Sequence, residues 1–208
     1  MSLTLHYHPL SSYSRKAAIG IGLRGDSVEL RVVDPFKGDL KTAAFVGISP
    51  FGKMPVLETD DGGSVFEATS ILEYLEERGP GRLIPAGHER RARHLDRIGD
   101  LYLLDPIGKF FWDKSDAVRE KAAATTAKAW AIWEKELADG RPFLLGETIT
   151  LPDIPAAIAA YYAVTEGLSL PDSIAGYKAR LEANPVLRAS CEAAAPFVEA
   201  TKPMRVKK

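Results

Sequence analysis

The sequence has few of the residues that build metal sites and disulfide frameworks. It contains one cysteine, Cys191, and four histidines, which excludes a disulfide-stabilised scaffold and a thiol pair that cycles within one chain. The histidines stand at 6, 8, 88 and 94 and show no standard zinc spacing. No serine lies in a G-x-S-x-G elbow, so a hydrolase triad is not indicated. We therefore expect no metal.

The sequence also lacks an excess of either charge and a long apolar run. Lys and Arg number 27 and Asp and Glu number 28, for a net charge of −1, which argues against nucleic acid or an anionic membrane as the main partner. The longest apolar stretch, 154–164, is too short to cross a bilayer. The opening MSLTLHYH has no secretory-signal pattern. We expect a cytoplasmic protein without a nucleic-acid or membrane partner.

The 208 residues, 46% of them hydrophobic, are enough for one large core or two modest ones. Up to residue 79, strand and helix patterns alternate, which predicts an α/β layer. The predicted strands are 3–7, 28–33, 55–59 and 64–67, and the predicted helices are 12–24, 39–46 and 68–78. The short D-D-G-G at 60–63 predicts an antiparallel hairpin between the last two strands.

The second half of the chain has helical patterns in place of alternating strands and helices. Its predicted helices are 89–112, 115–139, 152–166, 173–183 and 185–194. The segment GPGRLIPAG at 79–87 combines glycine and proline, as is typical of a linker. We therefore predict an α/β domain at 1–79, a linker at 80–88 and an all-helical domain at 89–208.

The segment Gly20-Ile21-Gly22-Leu23-Arg24-Gly25 matches the dinucleotide pattern G-x-G-x-x-G. A nucleotide site needs this pattern between a strand and a following helix, but here a strand pattern follows at 28–33 and leaves no room for that helix. The context favours close packing at Gly20 and Gly22 and a left-handed helix end at Gly25. We expect no nucleotide cofactor.

Thr150-Leu151-Pro152-Asp153 has the form of a capping box. It predicts that Thr150 accepts the N–H of Asp153 while the Asp153 carboxylate reaches back to the cap. We interpret this motif as structural.

Serine side chains stand where the first strand runs into the first helix. Ser11-Ser12-Tyr13-Ser14 has the spacing of a C-x-x-C redox motif without sulfur, in a place where backbone N–H groups are exposed to a ligand. Helix capping accounts for one of these serines, or two.

Three further motifs follow the serines in a fixed order. They are S-P-F-G-K-M-P-V-L (49–57), F-E-A-x-x-I-x-x-Y-L (66–75) and GETITLPDIPAA (146–157). Together with the serines they resemble the glutathione transferase family over nearly the whole chain, although that family typically has asparagine where Ser49 stands. The resemblance implies an α/β thioredoxin-like N-terminal domain followed by an all-α helical-bundle C-terminal domain.

The resemblance is to the serine-type members, of theta, zeta or beta-like character, and implies that Ser11 stabilises the thiolate of glutathione. Ser12 is an adjacent alternative. Tyr7 is another, because other branches of the family use a tyrosine at the end of the first strand. Strand alternation puts Leu3, Leu5 and Tyr7 on one face, which favours a core tyrosine. A serine hydroxyl can donate a hydrogen bond to a thiolate. Because the motif itself contains no cysteine, the thiolate that it would stabilise is that of the ligand.

The resemblance also assigns the residues that hold glutathione. It implies that Pro55 is cis and that the backbone of Met54 pairs with the cysteinyl unit, and these are favoured over the alternative that Pro55 simply begins an edge strand. Lys53 is one candidate for the glycyl carboxylate, with Lys37 and Lys41 as alternatives.

Glu67 and Ala68 correspond to the residues that hold the γ-glutamyl unit in the family. Glu67 would face the ammonium group, or it could simply begin a helix. Ala68 stands where most members have serine or threonine, and Thr69 or Ser70 could compensate. The missing hydroxyl predicts an affinity lower by tenfold or more, from about 1.5 to 3 kcal/mol.

The resemblance implies a pocket for a small apolar electrophile, lined by Tyr102, Pro106 and Phe110 of the helix predicted at 89–112. Residues at this helical spacing can equally belong to the core. Phe51 resembles positions that insert into a partner subunit, or it packs locally.

The expected function is a glutathione transferase that conjugates the thiolate of glutathione, its co-substrate, to an apolar electrophile in detoxification, as a cytoplasmic homodimer. A different class, a non-catalytic binding scaffold, stays open because of Ala68. A specialised glutathione-dependent isomerase, dehalogenase or peroxidase also stays open.

Overall fold

The computed structural model describes residues 2–79 and 82–205, and the chain divides into two compact units, Met1–Arg82 and Leu83–Lys208. The first unit is α/β and the second is helical, which confirms the predicted fold class. The predicted linker at 80–88 begins with Pro80 and Gly81, which lie outside the described residues. Leu83, within that predicted linker, is buried and its carbonyl accepts a hydrogen bond from the Leu151 N–H at 2.8 Å.

A four-stranded mixed sheet organises the first unit. Its strands, in the spatial order β2-β1-β3-β4, are β1 (Leu3–Tyr7), β2 (Val28–Val32), β3 (Val56–Glu58) and β4 (Ser64–Phe66). β1 and β2 are parallel, as a helical crossover between them requires. The antiparallel pairing of β3 with β4 confirms the predicted hairpin, and β3 also pairs antiparallel with β1.

Three helices pack with this sheet: α1 (Ser12–Arg24), α2 (Ala43–Ile48) and α3 (Ala68–Arg78). The helix predicted at 39–46 is divided into a short 3₁₀ turn, Asp39–Lys41, and α2. The division lies at Thr42, whose backbone is extended and whose side chain caps α2 by accepting the Phe45 N–H at 3.2 Å.

The glycines of the dinucleotide-like pattern belong to α1 and its end. Gly25 is left-handed, with φ 74°, and its N–H donates to the Ile21 carbonyl, which confirms the predicted helix end. A Cβ on Gly20 would lie 2.3 Å from Leu72 Cδ2, so this glycine lets α1 and α3 approach closely. The prediction for Gly22 is wrong, because Gly22 is exposed.

The second unit is built from α4 (Glu89–Gly99), α5 (Asp105–Trp112), α6 (Asp116–Glu136), α7 (Asp153–Thr165), α8 (Asp172–Glu182) and α9 (Pro185–Thr201). A π-helical turn, Asp100–Leu104, joins α4 to α5 within the long helix that was predicted. α9 continues past its predicted end at 194 and through Pro196. The proline removes one backbone hydrogen bond, but burial of Ala194 and Val198 supports the helix on both sides.

At the start of α7, one of the two hydrogen bonds predicted for the capping box is present and the other is wrong. The Thr150 N–H donates to Asp153 Oδ2 at 2.7 Å, as predicted, but the Thr150 hydroxyl donates to the same carboxylate at 2.6 Å instead of accepting an N–H. The reason is that the helix begins at Asp153, after a turn in which the Asp153 N–H donates to the Thr150 carbonyl at 3.0 Å.

Within residues 2–79 and 82–205, no helix combines the length and the apolar character needed to cross a bilayer.

Candidate active site

Ser11 lies between β1 and α1 and caps the helix. Its backbone is extended, and its Oγ accepts the Ser14 N–H at 3.2 Å. Accepting a bond occupies a lone pair and leaves the hydroxyl proton able to donate. In the described part of the chain no acceptor takes that proton. Ser12 is the first residue of α1 and, like Ser11, is half-buried.

Tyr7 ends β1 and packs against the buried cluster that includes Leu5, Ala17 and Leu57. Leu3 packs against the same cluster, which confirms the shared face predicted for the alternating residues of β1.

The Met54-Pro55 peptide bond is cis, as the resemblance implied. The Met54 side chain packs against Val33, Phe45 and Val56, which directs it into the core. Within the described ranges no hydrogen bond engages the Met54 backbone. Its N–H and C=O are therefore unpaired within this part of the chain.

Ser49 braces the turn before Met54. Its buried Oγ accepts the Lys53 N–H at 3.2 Å and donates to the Lys53 carbonyl at 2.6 Å. In the sequence, Ser49 is visible only as a departure from the usual asparagine. The Lys53 side chain is exposed, as are those of Lys37 and Lys41, and Lys37 pairs with Asp34 at 3.6 Å.

Glu67 precedes α3 with φ 72° and ψ 122°, an uncommon conformation for a residue other than glycine. Such backbone strain costs about 1 to 3 kcal/mol and often accompanies functional sites. The Glu67 side chain is exposed and makes no capping hydrogen bond. Nothing in the sequence indicated this conformation, because glutamate has no preference for it.

Ala68 begins α3 and is 3% exposed, packed in the core beside Leu5 and Ile71. The next residue, Thr69, receives a hydrogen bond on its Oγ1 from Lys16 Nζ at 2.8 Å. Lys16 is fully buried on α1, and this bond brings its amino group to the first turn of α3. Nothing in the sequence indicates that Lys16 is buried, because lysines on helices are usually solvated.

We expect Glu67→Gly to raise the free energy of unfolding by about 1 kcal/mol, because relief of strain exceeds the entropy cost of glycine. The same change removes the carboxylate proposed below to meet the ligand's ammonium group, and we expect about tenfold weaker glutathione binding. Urea denaturation and calorimetric titration measure the two effects. Glu67→Gln is the control, since it keeps the side-chain shape and the strained backbone and should weaken binding without added stability. A destabilised Glu67→Gly protein would contradict the assignment of strain.

The residues predicted to line the electrophile pocket differ in exposure. Tyr102 lies in the π-helical turn and is 51% exposed, whereas Pro106 and Phe110 of α5 are buried. Lys114 Nζ lies 4.0 Å from the centroid of the Phe110 ring, a cation–π contact. A π-helical turn within an α-helix often accompanies a functional site.

A profile of the glutathione S-transferase N-terminal domain matches residues 5–83. Human glutathione S-transferase theta-2 is 31% identical over 203 residues, which cover 88% of this chain and 82% of the human protein. The maleylacetoacetate isomerase of Pseudomonas aeruginosa is 33% identical over 95 residues, 45% of this chain and 44% of the isomerase.

Solved structures agree with these sequence matches in fold. A diazinon-metabolizing glutathione S-transferase of the silkworm Bombyx mori superposes with a TM-score of 0.84 at 16% identity, covering 96% of this chain and 100% of the silkworm chain. The likeness extends over both the α/β and the helical part.

Proposed function

We propose, since the chain belongs to the glutathione S-transferase family, that glutathione is its substrate and that Ser11 holds the glutathione thiol as a thiolate for attack on a small apolar electrophile. The observation that carries this proposal is the Ser11 hydroxyl. Its oxygen caps α1 by accepting the Ser14 N–H, and among the described residues its proton has no acceptor. Capping and thiolate stabilisation are therefore compatible in one side chain.

The Ser11 hydroxyl and the start of α1 can together supply the free energy needed to ionise the thiol. A free thiol has a pKa near 8.5, so lowering it by about two units takes about 2.7 kcal/mol. A hydrogen bond from a hydroxyl to a charged sulfur and the partial positive charge at the start of α1 act in the same direction. Ser12 and Tyr7 stay as the alternatives to Ser11.

Glutathione would bind through hydrogen bonds to the protein backbone and through contacts with charged side chains. The open N–H and C=O of Met54, beside cis Pro55, are suited to antiparallel pairing with the cysteinyl unit. Glu67 would face the γ-glutamyl ammonium group, and the exposed Lys53, or else Lys37 or Lys41, would meet the glycyl carboxylate.

The γ-glutamyl carboxylate would bind at the start of α3. Ala68 offers an N–H but no hydroxyl, and the bond from Lys16 to Thr69 adds a buried positive charge to the same turn. This charge supports anion binding there together with the helix dipole. The departure at Ala68 is therefore compensated in part.

The remaining assignments stay predictions. They are the pocket of Tyr102, Pro106 and Phe110, the homodimer, the cytoplasmic location and the role in detoxification. Phe51, the residue considered for a partner contact, is 72% exposed and packs edge-on against Phe66 at 5.8 Å. The isomerase among the relatives keeps isomerisation of a glutathione adduct as an alternative reaction.

A calorimetric titration with glutathione, followed by an assay with a generic aryl halide, tests the proposal. We expect binding below millimolar concentration and conjugation of the halide. Binding without conjugation would favour a specialised isomerase, dehalogenase or peroxidase. Absence of binding at millimolar glutathione would favour the scaffold, the second candidate, which the buried methyl group of Ala68 supports.

Ala68→Ser sharpens this test. The new hydroxyl would supply the hydrogen bond that the alanine lacks, and we expect about tenfold tighter binding, near the lower end of about 1.5 to 3 kcal/mol for a bond to a charged group. Ala179→Ser, which adds a hydroxyl at an exposed position of α8, is the matched control and should leave the affinity unchanged. Equal affinity of Ala68→Ser and the unaltered protein would contradict the proposed carboxylate position.

A further inference from the structure

The turn that carries Ser11 is closed by one residue, His8. His8 follows β1, and the chain reaches Ser11 after only Pro9 and Leu10. The Ser11 N–H donates to the His8 carbonyl at 3.0 Å, and the Leu10 N–H donates to the His8 ring nitrogen Nδ1 at 3.1 Å. Pro9 has no N–H to offer. Both neighbouring N–H groups of this turn therefore bind His8.

The bond from Leu10 specifies the protonation state of the imidazole. A nitrogen that accepts an N–H must present a lone pair, so His8 is neutral with its proton on Nε2. Protonation would place a hydrogen on Nδ1, facing the Leu10 N–H, and the bond would be lost. Because His8 is 2% exposed, water has little access to replace it. The turn is thus compatible with neutral His8 only.

Some groups around His8 disfavour protonation of its imidazole, and others favour it. The Phe36 ring packs edge-on against the imidazole, with centroids 6.3 Å apart. From the same segment after β2, the Asp34 carboxylate faces His8, and Lys37 pairs with that carboxylate. His6, which lies in β1 itself, faces Glu58 of β3 at 3.3 Å. Burial lowers the pKa of His8 below its ordinary 6.5, and Asp34 opposes this shift.

We propose that His8 is a positioning residue: its neutral imidazole fixes the turn that aims the Ser11 hydroxyl, and its protonation releases that hydroxyl from the thiolate. The inference rests on the proposed role of Ser11. Because folding favours the neutral ring, the contribution of His8 to the free energy of unfolding is complete above pH 6.5. That contribution is lost as the pH falls through the lowered pKa of the folded protein.

Two variants distinguish the role of His8 as a hydrogen-bond acceptor from the role of its aromatic ring. His8→Asn retains an acceptor that can bind the N–H two residues ahead, as in an Asx turn, but it cannot titrate. His8→Phe retains the ring and its contact with Phe36 but offers no acceptor. We expect His8→Phe to lower kcat about tenfold, the loss of roughly one hydrogen bond, with little change in the KM for glutathione. His8→Asn should keep kcat near that of the unaltered protein and lose one acidic step of the pH profile. His88→Asn, at an exposed histidine, should change neither.

Nitrogen NMR of the His8 ring and hydrogen exchange at the Leu10 amide test the inference without relying on activity. We expect a proton on Nε2 at pH 7.5, a titration below pH 6.5, and Leu10 protection that is lost in His8→Phe and kept in His8→Asn. A proton on Nδ1, titration at or above pH 6.5, or equal kcat for the two variants would overturn it. If the unaltered protein does not bind glutathione, the proposed function fails, while the tautomer and the Leu10 amide still decide whether His8 holds the turn. Should His8→Phe fail to fold, the ring titration and the pH profile of His8→Asn give the decision.

Discussion

Replacing Ser11 with alanine is expected to lower the rate of aryl halide conjugation by up to about 20-fold at pH 7. The reason is the amount of thiolate: a thiol with a pKa about two units below 8.5 is mostly ionised at pH 7, whereas a thiol at 8.5 is ionised to about 3%. The difference should grow towards about 100-fold at pH 6 and vanish above pH 9. Steady-state rates across this pH range at saturating glutathione measure the effect.

The controls separate the hydroxyl from the helix cap. Ser11→Ala also removes a cap worth about 1 kcal/mol, whereas Ser11→Gly keeps most of the capping energy and still lacks the hydroxyl. We expect both variants to show the same kinetic loss, with Ser11→Gly the more stable. Ser12→Ala and Tyr7→Phe should retain nearly full rates. A loss found in Ser12→Ala or Tyr7→Phe instead would move the role to that residue.

Asp153→Ala is expected to destabilise the protein by about 3 to 5 kcal/mol, because it leaves several buried hydrogen-bond donors without an acceptor. Asp153 is fully buried at the start of α7. Its two oxygens accept the Leu144 N–H at 3.0 Å, both the N–H and the hydroxyl of Thr150, and the Tyr177 hydroxyl. The variant leaves these donors buried without partners, and each such group costs about 1 to 3 kcal/mol before relaxation.

Thermal and urea denaturation measure this effect, which corresponds to a Tm lower by about 10 °C. Asp172→Ala is the matched control, because Asp172 occupies the first turn of α8 but is exposed. It should cost less than about 1 kcal/mol, the value of a carboxylate at a helix start. Equal destabilisation by the two changes would show that the network around Asp153 is not what stabilises the second unit.

Local signals were sufficient to predict most of the secondary structure. Ser11 and Gly25 mark the two ends of α1, and 60–63 marks the hairpin, because capping residues and tight turns depend on chemistry within a few residues. The wrong predictions depended on distant contacts. Exposure of Gly22 and the continuation of α9 past Pro196 are set by packing between elements, which the pattern of a single segment does not contain.

The candidate site was predictable only in part for the same reason. The serines, cis Pro55 and Glu67 are visible as motifs, since their spacing along the chain is short. The bond from Lys16 to Thr69 joins residues 53 positions apart, and a charged residue within a helix gives no sign that it is buried. The hydrogen bond to the His8 ring is local, but a histidine before a proline has no pattern that indicates which ring nitrogen accepts.

The most direct test of the central claim is the ionisation of bound glutathione, followed by ultraviolet thiolate absorbance from pH 4 to 10 in the unaltered protein and in Ser11→Ala. The account predicts a bound thiol pKa about two units below 8.5 in the first and a clear rise towards 8.5 in the second, where only the helix dipole of α1 remains to lower it. A bound thiol that ionises near 8.5 in the unaltered protein, or one whose lowered pKa survives the loss of the Ser11 hydroxyl, would contradict it.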